Sequence, residues 1–456
     1  MEKIEINQEA LKNFNYKINC LSDLLELRID KQTEVKYKPQ IYNIQEIDGK
    51  KIIGDVIKSS YDEYGIEISK SFLTERGPVG LFDLNHKEFE KICEGIQKLN
   101  SLRNTISLNT VKELVFKWLV KKCKEELSVE PLEFLITECQ SKLKEWEIVT
   151  PIAELYIENE FSIGNVKLIT LSKEIIDSWE SSVKIIRIEA KKEGTCELSN
   201  SFEELRKTYS GKAVAQYRIE AEQDRAIEIA NEEVDKSLSI LRFFSRANVI
   251  PNLISCCTIS GAENVNVINN LILKKNVLET QHIKINRNYL RDWIIRRDDL
   301  ELFYKMGLGK LSNLLTKKNL SKFESILLDS LIIYSRNSLM QNIYDKIVYI
   351  FSSLEAILIN DDNERIMQNL SERIAILIGN SIKEKKEIIG NVKTIYGLRS
   401  KFLHHGNQDL EISQKEDVKI FLGNVHVLYA HLIGNMDFFK SKEHLIEFVL
   451  DKKLSG

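Results

Sequence analysis

Beyond residue 320 the chain has no proline, tryptophan or cysteine, and it runs on to Gly456. Proline removes a backbone donor and clashes with the preceding turn, so a long stretch without it leaves helix as the default. Four helices are expected at about 321–336, 341–359, 363–379 and 385–405. One or two more should follow at about 415–435 and 441–452. Successive helices joined by short polar breaks can bury their apolar stripes only against one another. The expectation is an all-α helical bundle over residues 311–456.

The chain before this bundle reads differently. Residues 1–150 are expected to form an α/β start followed by helices. Asp48-Gly49 between two apolar runs reads as a hairpin turn, and Arg76-Gly77-Pro78-Val79-Gly80 as a loop. Phe89, Ile92, Ile96 and Leu99 recur at helical spacing, with His86 at the start of that segment read as a surface residue and not a ligand. A helix follows at Leu108–Lys124, and another opens at Pro131 and ends near Trp146.

Past Pro151 the period changes to that of strands. Ile152–Glu158 and Phe161–Ile169 read as two strands around a turn, and Ile185–Ala190 and Ala213–Ile219 as two more. Glu154, Glu158 and Glu160 read as carboxylates on a solvated strand face, since no His or Asp group stands nearby. Ala226, Ile229, Ala230, Val234, Leu238 and Leu241 mark one long helix, which Pro251 ends. Residues 151–310 thus form a strand-rich α+β region, and the chain as a whole is mostly helical.

Residues 274–322 carry twelve Lys and Arg against five acids, with Tyr289, Trp293, Phe303 and Tyr304 interleaved. Two readings stand. The stretch could track an RNA backbone while its aromatics stack bases, with Arg296 and Arg297 as contacts. It could equally be a solvated helix whose aromatics dock it on the next domain.

One segment of the bundle carries chemistry: Tyr396-Gly397-Leu398-Arg399-Ser400-Lys401-Phe402-Leu403-His404-His405-Gly406. Arg is a permanent cation with a planar fork of donors that matches phosphate oxygens. His gives and takes protons near neutral pH. Together they suit cleavage of an RNA phosphodiester by its own 2′-hydroxyl, His moving protons and Arg holding the charge that develops at phosphorus. That reaction needs neither metal nor cofactor, and none is expected. Positions five apart on an ideal helix lie roughly 140° apart in azimuth, so Arg399 and His404 do not share one face. Gly406 reads as the residue that ends the helix, which puts both imidazoles in its last turn. A surface Arg and two helix-capping His residues would give the same string.

The order and spacing of three segments, Asp345–Leu358 with Glu355, Glu372–Ile378, and the Tyr-x-x-Arg-Ser-x-x-x-His-His-Gly stretch, resemble the HEPN domain family, most closely its Apea-like branch. The resemblance covers roughly residues 320–450. It implies a helical bundle that pairs as a homodimer, with two Arg/His motifs forming one RNA-cleaving cleft. It also implies a metal-independent endoribonuclease of bacterial anti-phage defence, abortive infection or toxin systems. On that resemblance Arg399 and His404 are catalytic. Ser400 stands where many members carry a supporting polar residue, and Glu355 matches an acidic position on an earlier helix. Tyr396 supports the motif, His405 is a second imidazole able to fill the His position, and Lys401 is a further RNA contact. The alternative is a non-catalytic HEPN-type module that dimerises and binds a nucleotide or a partner.

Composition sets the remaining bounds. Net charge is −3, so any RNA surface is local. Seven scattered cysteines without a C-x-x-C pair indicate neither a disulfide framework nor a zinc site. The charged start lacks an apolar signal core, and no run reaches the roughly 20 apolar residues of a membrane span, so a cytoplasmic protein is expected. The region before the bundle is expected to sense a phage or cellular trigger. A separate antitoxin fits the same reading.

Overall fold

The structure, a computed structural model, describes residues 4–28, 57–74, 77–124, 126, 128–189, 195–255, 257–262, 267–274, 277–285, 289–290, 293–361, 363–406 and 411–455. Side chains within 186–189, 195–198, 267–274, 277–285 and 289–290, and at 77, 405 and 412, lie outside that description. The expected Asp48-Gly49 turn falls outside the described residues. Contacts divide the chain into two units: Met1–Trp146 with Arg218–Ile229, and Glu147–Tyr217 with Ala230–Gly456.

The first unit opens with α1 (Gln8–Asp23), whose N-cap Asn7 accepts a hydrogen bond from the Ala10 amide. Then come β1 (Glu26–Leu27), β2 (Ile57–Tyr61), β3 (Glu67–Thr74) and β4 (Gly77–Phe82), an antiparallel sheet in the order β1-β4-β3-β2. Gly80 faces Ser71 across the ladder, and a Cβ there would stand 2.2 Å from the Lys70 carbonyl. Only glycine lets those backbones approach so closely. Helices α2 (Asp83–Gln97), α3 (Asn100–Arg103), α4 (Leu108–Cys123) and α5 (Pro131–Lys142) follow. Their apolar faces meet in a core that includes Phe89, Ile96, Val111, Leu119 and Leu135.

The helix expected to reach Trp146 stops at Lys142, and β5 (Lys144–Pro151) begins at once. Ile148, Val149 and Thr150 favour the extended chain, and the Trp146 indole donates to the Ala221 carbonyl at 3.0 Å.

In the second unit β6 (Leu155–Ile157), β7 (Phe161–Ile163) and β8 (Val166–Thr170) precede α6 (Lys173–Glu189) and α7 (Thr195–Tyr209), and β9 (Ala213–Ala221) and α8 (Gln223–Phe243), which share Arg218–Ile229 with the first unit, follow. The strands β5, β9, β8 and β7 make one sheet in that order. Phe161–Ile169, expected as one strand, is a hairpin, with Ile163 paired to Val166 around Gly164-Asn165. Gly164 has φ +61°, the left-handed backbone that a two-residue hairpin loop requires. Ile185–Ala190 is not a strand: α6 runs through it to Glu189. Ile176, Trp179 and Val183 place one face of α6 on a small core with Leu171, Phe202 and Val214, and that amphipathic period outweighs the local β-branched run.

The basic stretch is folded. Strands β10 (Ile254–Ser255) and β13 (Tyr289–Leu290) pair in parallel, β11 (Val267–Lys274) and β12 (Val277–Ile285) form a hairpin, and β14 (Trp293–Ile295) lies parallel to β6. Helices α9 (Arg297–Lys305) and α10 (Leu308–Thr316) follow. Phe303 stacks on Phe244 at 4.9 Å, and Trp293 packs against the same core.

The tail is helical as the missing prolines imply: α11 (Lys322–Ser335), α12 (Ile343–Leu358), α13 (Ile366–Ile378), α14 (Ile382–His405), α15 (Ile412–Gly434) and α16 (Lys442–Leu454). Ser321 and Glu324 start α11 with a reciprocal capping box. One core joins Leu168, Ala215 and Leu238 of the strand-rich region to Phe323, Ile347, Ile374, Val392 and Leu428 of the tail. The chain is mostly helical, with an α+β region before a helical C-terminal region. No helix among the described residues is long and apolar enough to cross a membrane.

Candidate active site

Helix α14 is built to end where the chemistry sits. Ser381 caps its start, accepting from the Glu384 amide at 3.2 Å. Val392, Ile395 and Leu398 face the core and fix its rotation. Gly406 closes it with φ +81°, its amide bonded to the Phe402 carbonyl at 2.9 Å. The helix end read from the sequence is therefore the helix end observed.

Given that rotation, Tyr396 and Arg399 lie at the edge of the buried face and look at α12. They meet two residues one turn apart. The Tyr396 ring stands edge-on to Phe351 at 5.2 Å. The Arg399 guanidinium lies 3.3 Å from the Glu355 carboxylate and 5.5 Å from the Tyr396 ring centre. Glu355, from one segment of the sequence, and Tyr396 and Arg399, from another, form one cluster.

The cluster is only partly satisfied. Arg399 Nε and Glu355 Oε1 are buried and make no hydrogen bond among the described residues. Burial pushes the Glu355 carboxyl up from its usual range, and the Arg399 charge pulls it back in part. The Arg399 side chain as a whole is still about one-fifth exposed, and that exposed part is where an incoming phosphate oxygen can meet it.

The remaining expected residues are more scattered. His404 is exposed in the last turn of α14, about 7.5 Å along the axis from Arg399 and on another face. His405 belongs to the helix, and its side chain is outside the described set. Ser400 is half-buried. Lys401 is exposed and lines a pocket of about 180 Å³ with Tyr344, Leu398, Phe402, Gly406, Glu411 and Gln414. Arg296 and Arg297 are exposed at the start of α9, where the Arg297 amide donates to Glu158 and its side chain to Glu301.

Compared with protein-family models, curated proteins and solved structures, the chain matches none.

The sequence reading missed a second polar cluster, in the first unit. His86, expected at the surface, is 1% exposed and lies beside Glu67, with Glu90 one turn further along α2. The one available signal was His86-x-x-x-Glu90 on an expected helix, a spacing that puts both side chains on one face. Glu67 lies on a strand, and no local pattern ties it to them.

Proposed function

We propose that the chain is an endoribonuclease of HEPN type that cleaves RNA by attack of its own 2′-hydroxyl. The observation that carries this reading is the Arg399–Glu355–Tyr396 cluster, which holds a partly exposed guanidinium a turn and a half before His404.

In the proposed reaction the RNA phosphate docks on Arg399. One His404 takes the proton of the 2′-hydroxyl as the 2′-oxygen bonds to phosphorus. The bond from phosphorus to the 5′-oxygen breaks, and a protonated His404 from a second copy of the chain supplies the proton to that leaving oxygen. Arg399 stabilises the extra negative charge of the five-coordinate state. The products are a 2′,3′-cyclic phosphate and a 5′-hydroxyl. Protons and an Arg charge suffice, so cleavage is proposed to be metal-independent. Ser400 and His405 are supporting groups. Lys401, Arg296 and Arg297 are weaker RNA contacts in this scheme.

The dimer, the setting in bacterial defence or a toxin–antitoxin pair, and a trigger-sensing role for the residues before the bundle rest on the HEPN resemblance, and a cytoplasmic location is proposed from the charged start and the lack of a long apolar run. One observation favours a second reading, a non-catalytic HEPN-type module: Glu355 already offsets the Arg399 charge, as it would in a purely structural pair.

An RNA cleavage assay in EDTA separates the two. Wild-type protein should release fragments ending in cyclic phosphate, and His404→Ala should not. Equal cleavage by both proteins would reject His404 as the proton carrier, and none by either would favour the binding module.

A further inference from the structure

The first unit carries a cluster of ionisable side chains that the nuclease reading does not use. Glu67 begins β3, His86 and Glu90 sit one turn apart on α2, and Lys112 reaches in from α4. The His86 Nε2 lies 3.7 Å from Glu67 Oε2, and the Lys112 ammonium lies 3.7 Å from that oxygen and 2.6 Å from Glu90 Oε1. The other Glu67 oxygen accepts from Ser59 and lies 3.5 Å from Lys70. One ligand atom from each of Glu67, His86 and Glu90 falls within 4.8 Å of the other two.

Two features of His86 are hard to reconcile with a plain salt-bridge network. The residue is 1% exposed, and its Nε2 has no hydrogen-bond partner among the described residues. Leaving a buried polar atom unpaired costs about 1–3 kcal/mol. The 3.7 Å to Glu67 is also too long for a hydrogen bond. It suits two ligands of one ion instead: with bonds of about 2.0–2.2 Å at a tetrahedral angle, donor atoms stand about 3.3–3.6 Å apart.

We propose that Glu67, His86 and Glu90 bind a divalent transition-metal ion of the zinc class, and that the Lys112 ammonium is the cation that competes for the same two carboxylates. The donor set is one imidazole and two carboxylates, which suits zinc and leaves a fourth position for water. Lys112 lies near enough to both glutamates to offset them in the absence of the ion, and it must swing aside when a dication enters. Its side chain is 14% exposed, which gives it a way out. Ser59 and Lys70 also line a pocket of about 350 Å³ with Lys117 and Lys142, so this side of the cluster borders solvent. The proposal does not depend on the nuclease reading: EDTA would empty this site and leave Arg399 and His404 untouched.

The competition makes the test directional. Zn²⁺ is titrated calorimetrically into the full-length wild-type chain, His86→Gln, Glu90→Gln, Lys112→Met and a control, His444→Ala, with circular dichroism confirming that each is folded. The wild type and the control should bind one ion alike. His86→Gln and Glu90→Gln should each lose about 100-fold or more in affinity, since each lacks a direct ligand. Lys112→Met should bind about tenfold tighter or better, because a competing charge is gone. A wild type that binds no Zn²⁺ would overturn the proposal, as would equal affinity across all five proteins or weaker binding by Lys112→Met. If His86→Gln fails to fold, Lys112→Met alone still decides, since only a shared cation position predicts a gain.

Discussion

Arg399 and Glu355 lie 3.3 Å apart across α14 and α12, yet Arg399 Nε and Glu355 Oε1 are buried without a hydrogen bond among the described residues. The pair attracts by charge and leaves donor capacity unused. Glu355 therefore aims the guanidinium without filling it. Glu355→Gln keeps the shape and removes the charge, so the guanidinium loses its orientation. Misplacement of a catalytic group by about 1 Å costs on the order of 100-fold, and a loss of about 10- to 100-fold in kcat with little change in KM is expected. Steady-state cleavage of a fluorogenic RNA measures both constants. Unchanged kcat would make Glu355 a bystander.

Arg399→Lys tests the fork itself. Lysine keeps the charge but presents a point donor, not a planar pair. Activity should fall nearly as far as in Arg399→Ala, while light scattering finds the same oligomer. A variant that loses its oligomer or its solubility would move Arg399 from chemistry to structure.

His404→Ala should lower cleavage by about 100- to 10,000-fold, the usual contribution of a proton-transfer group. The side chain is exposed at a helix end, so the melting temperature should stay within a degree or two of wild type. The paired readout matters because the helix end would tolerate loss of a mere capping group as well. Only the catalytic role predicts lost turnover without lost stability.

Much of this was legible in the sequence. Gly406 ends α14 where a glycine after two histidines should, and α11 to α16 fall close to the limits set by polar breaks in a proline-free chain. Glu355 and Arg399 were each named through the HEPN resemblance, but their contact was not legible, because it depends on how α12 and α14 pack. What escaped was non-local. Nothing near His86 announces Glu67, which arrives from a strand. Gly164-Asn165 was overlooked because the apolar run continues on both sides of it. Ile185–Ala190 looks like a strand by residue type, and only its packing partners Phe202 and Val214 make the helical period win.

Lys346 makes one limb of a pH profile. Its ammonium is fully buried on α12, bonded to the Ala247 and Leu253 carbonyls at 2.9 and 2.6 Å, and burial brings its pKa down to about 7. An unfolded lysine titrates near 10.4. Between those values the unfolded chain holds the extra proton, so folding becomes more favourable as pH rises. Relative to Lys346→Met, the wild type should gain on the order of 1 kcal/mol per pH unit from about pH 7.5 to 9.5. Urea midpoints of both proteins across that range provide the check, and parallel curves would refute it.

His426 makes the other limb. It stacks on Phe243 at 4.6 Å, its Nδ1 has no hydrogen-bond partner among the described residues, and burial lowers its pKa to about 4. It stays neutral in the fold when an unfolded histidine, near 6.5, would charge. The stability this neutral ring contributes is present above about pH 6.5 and is lost as pH falls toward about 4. His426→Phe should flatten that acid limb, as thermal melts at pH 7 and pH 4.5 would show.

Gly307 joins the basic stretch to the bundle through backbone geometry. It caps α10 with φ +110°, and a Cβ there would stand 2.5 Å from Ile433 Cγ2 on α15. Alanine meets two penalties at once. The left-handed backbone costs an L-residue about 1–2 kcal/mol, and forcing a methyl into a packed site costs about 1–3 kcal/mol more. Gly307→Ala should therefore lower unfolding free energy by about 2–5 kcal/mol in urea. Gly390→Ala is the control, since its Cβ would meet nothing within 4 Å inside α14, and alanine there should stabilise the helix slightly. If both substitutions shifted the midpoint alike, the approach of α10 to Ile433 would not be the cause.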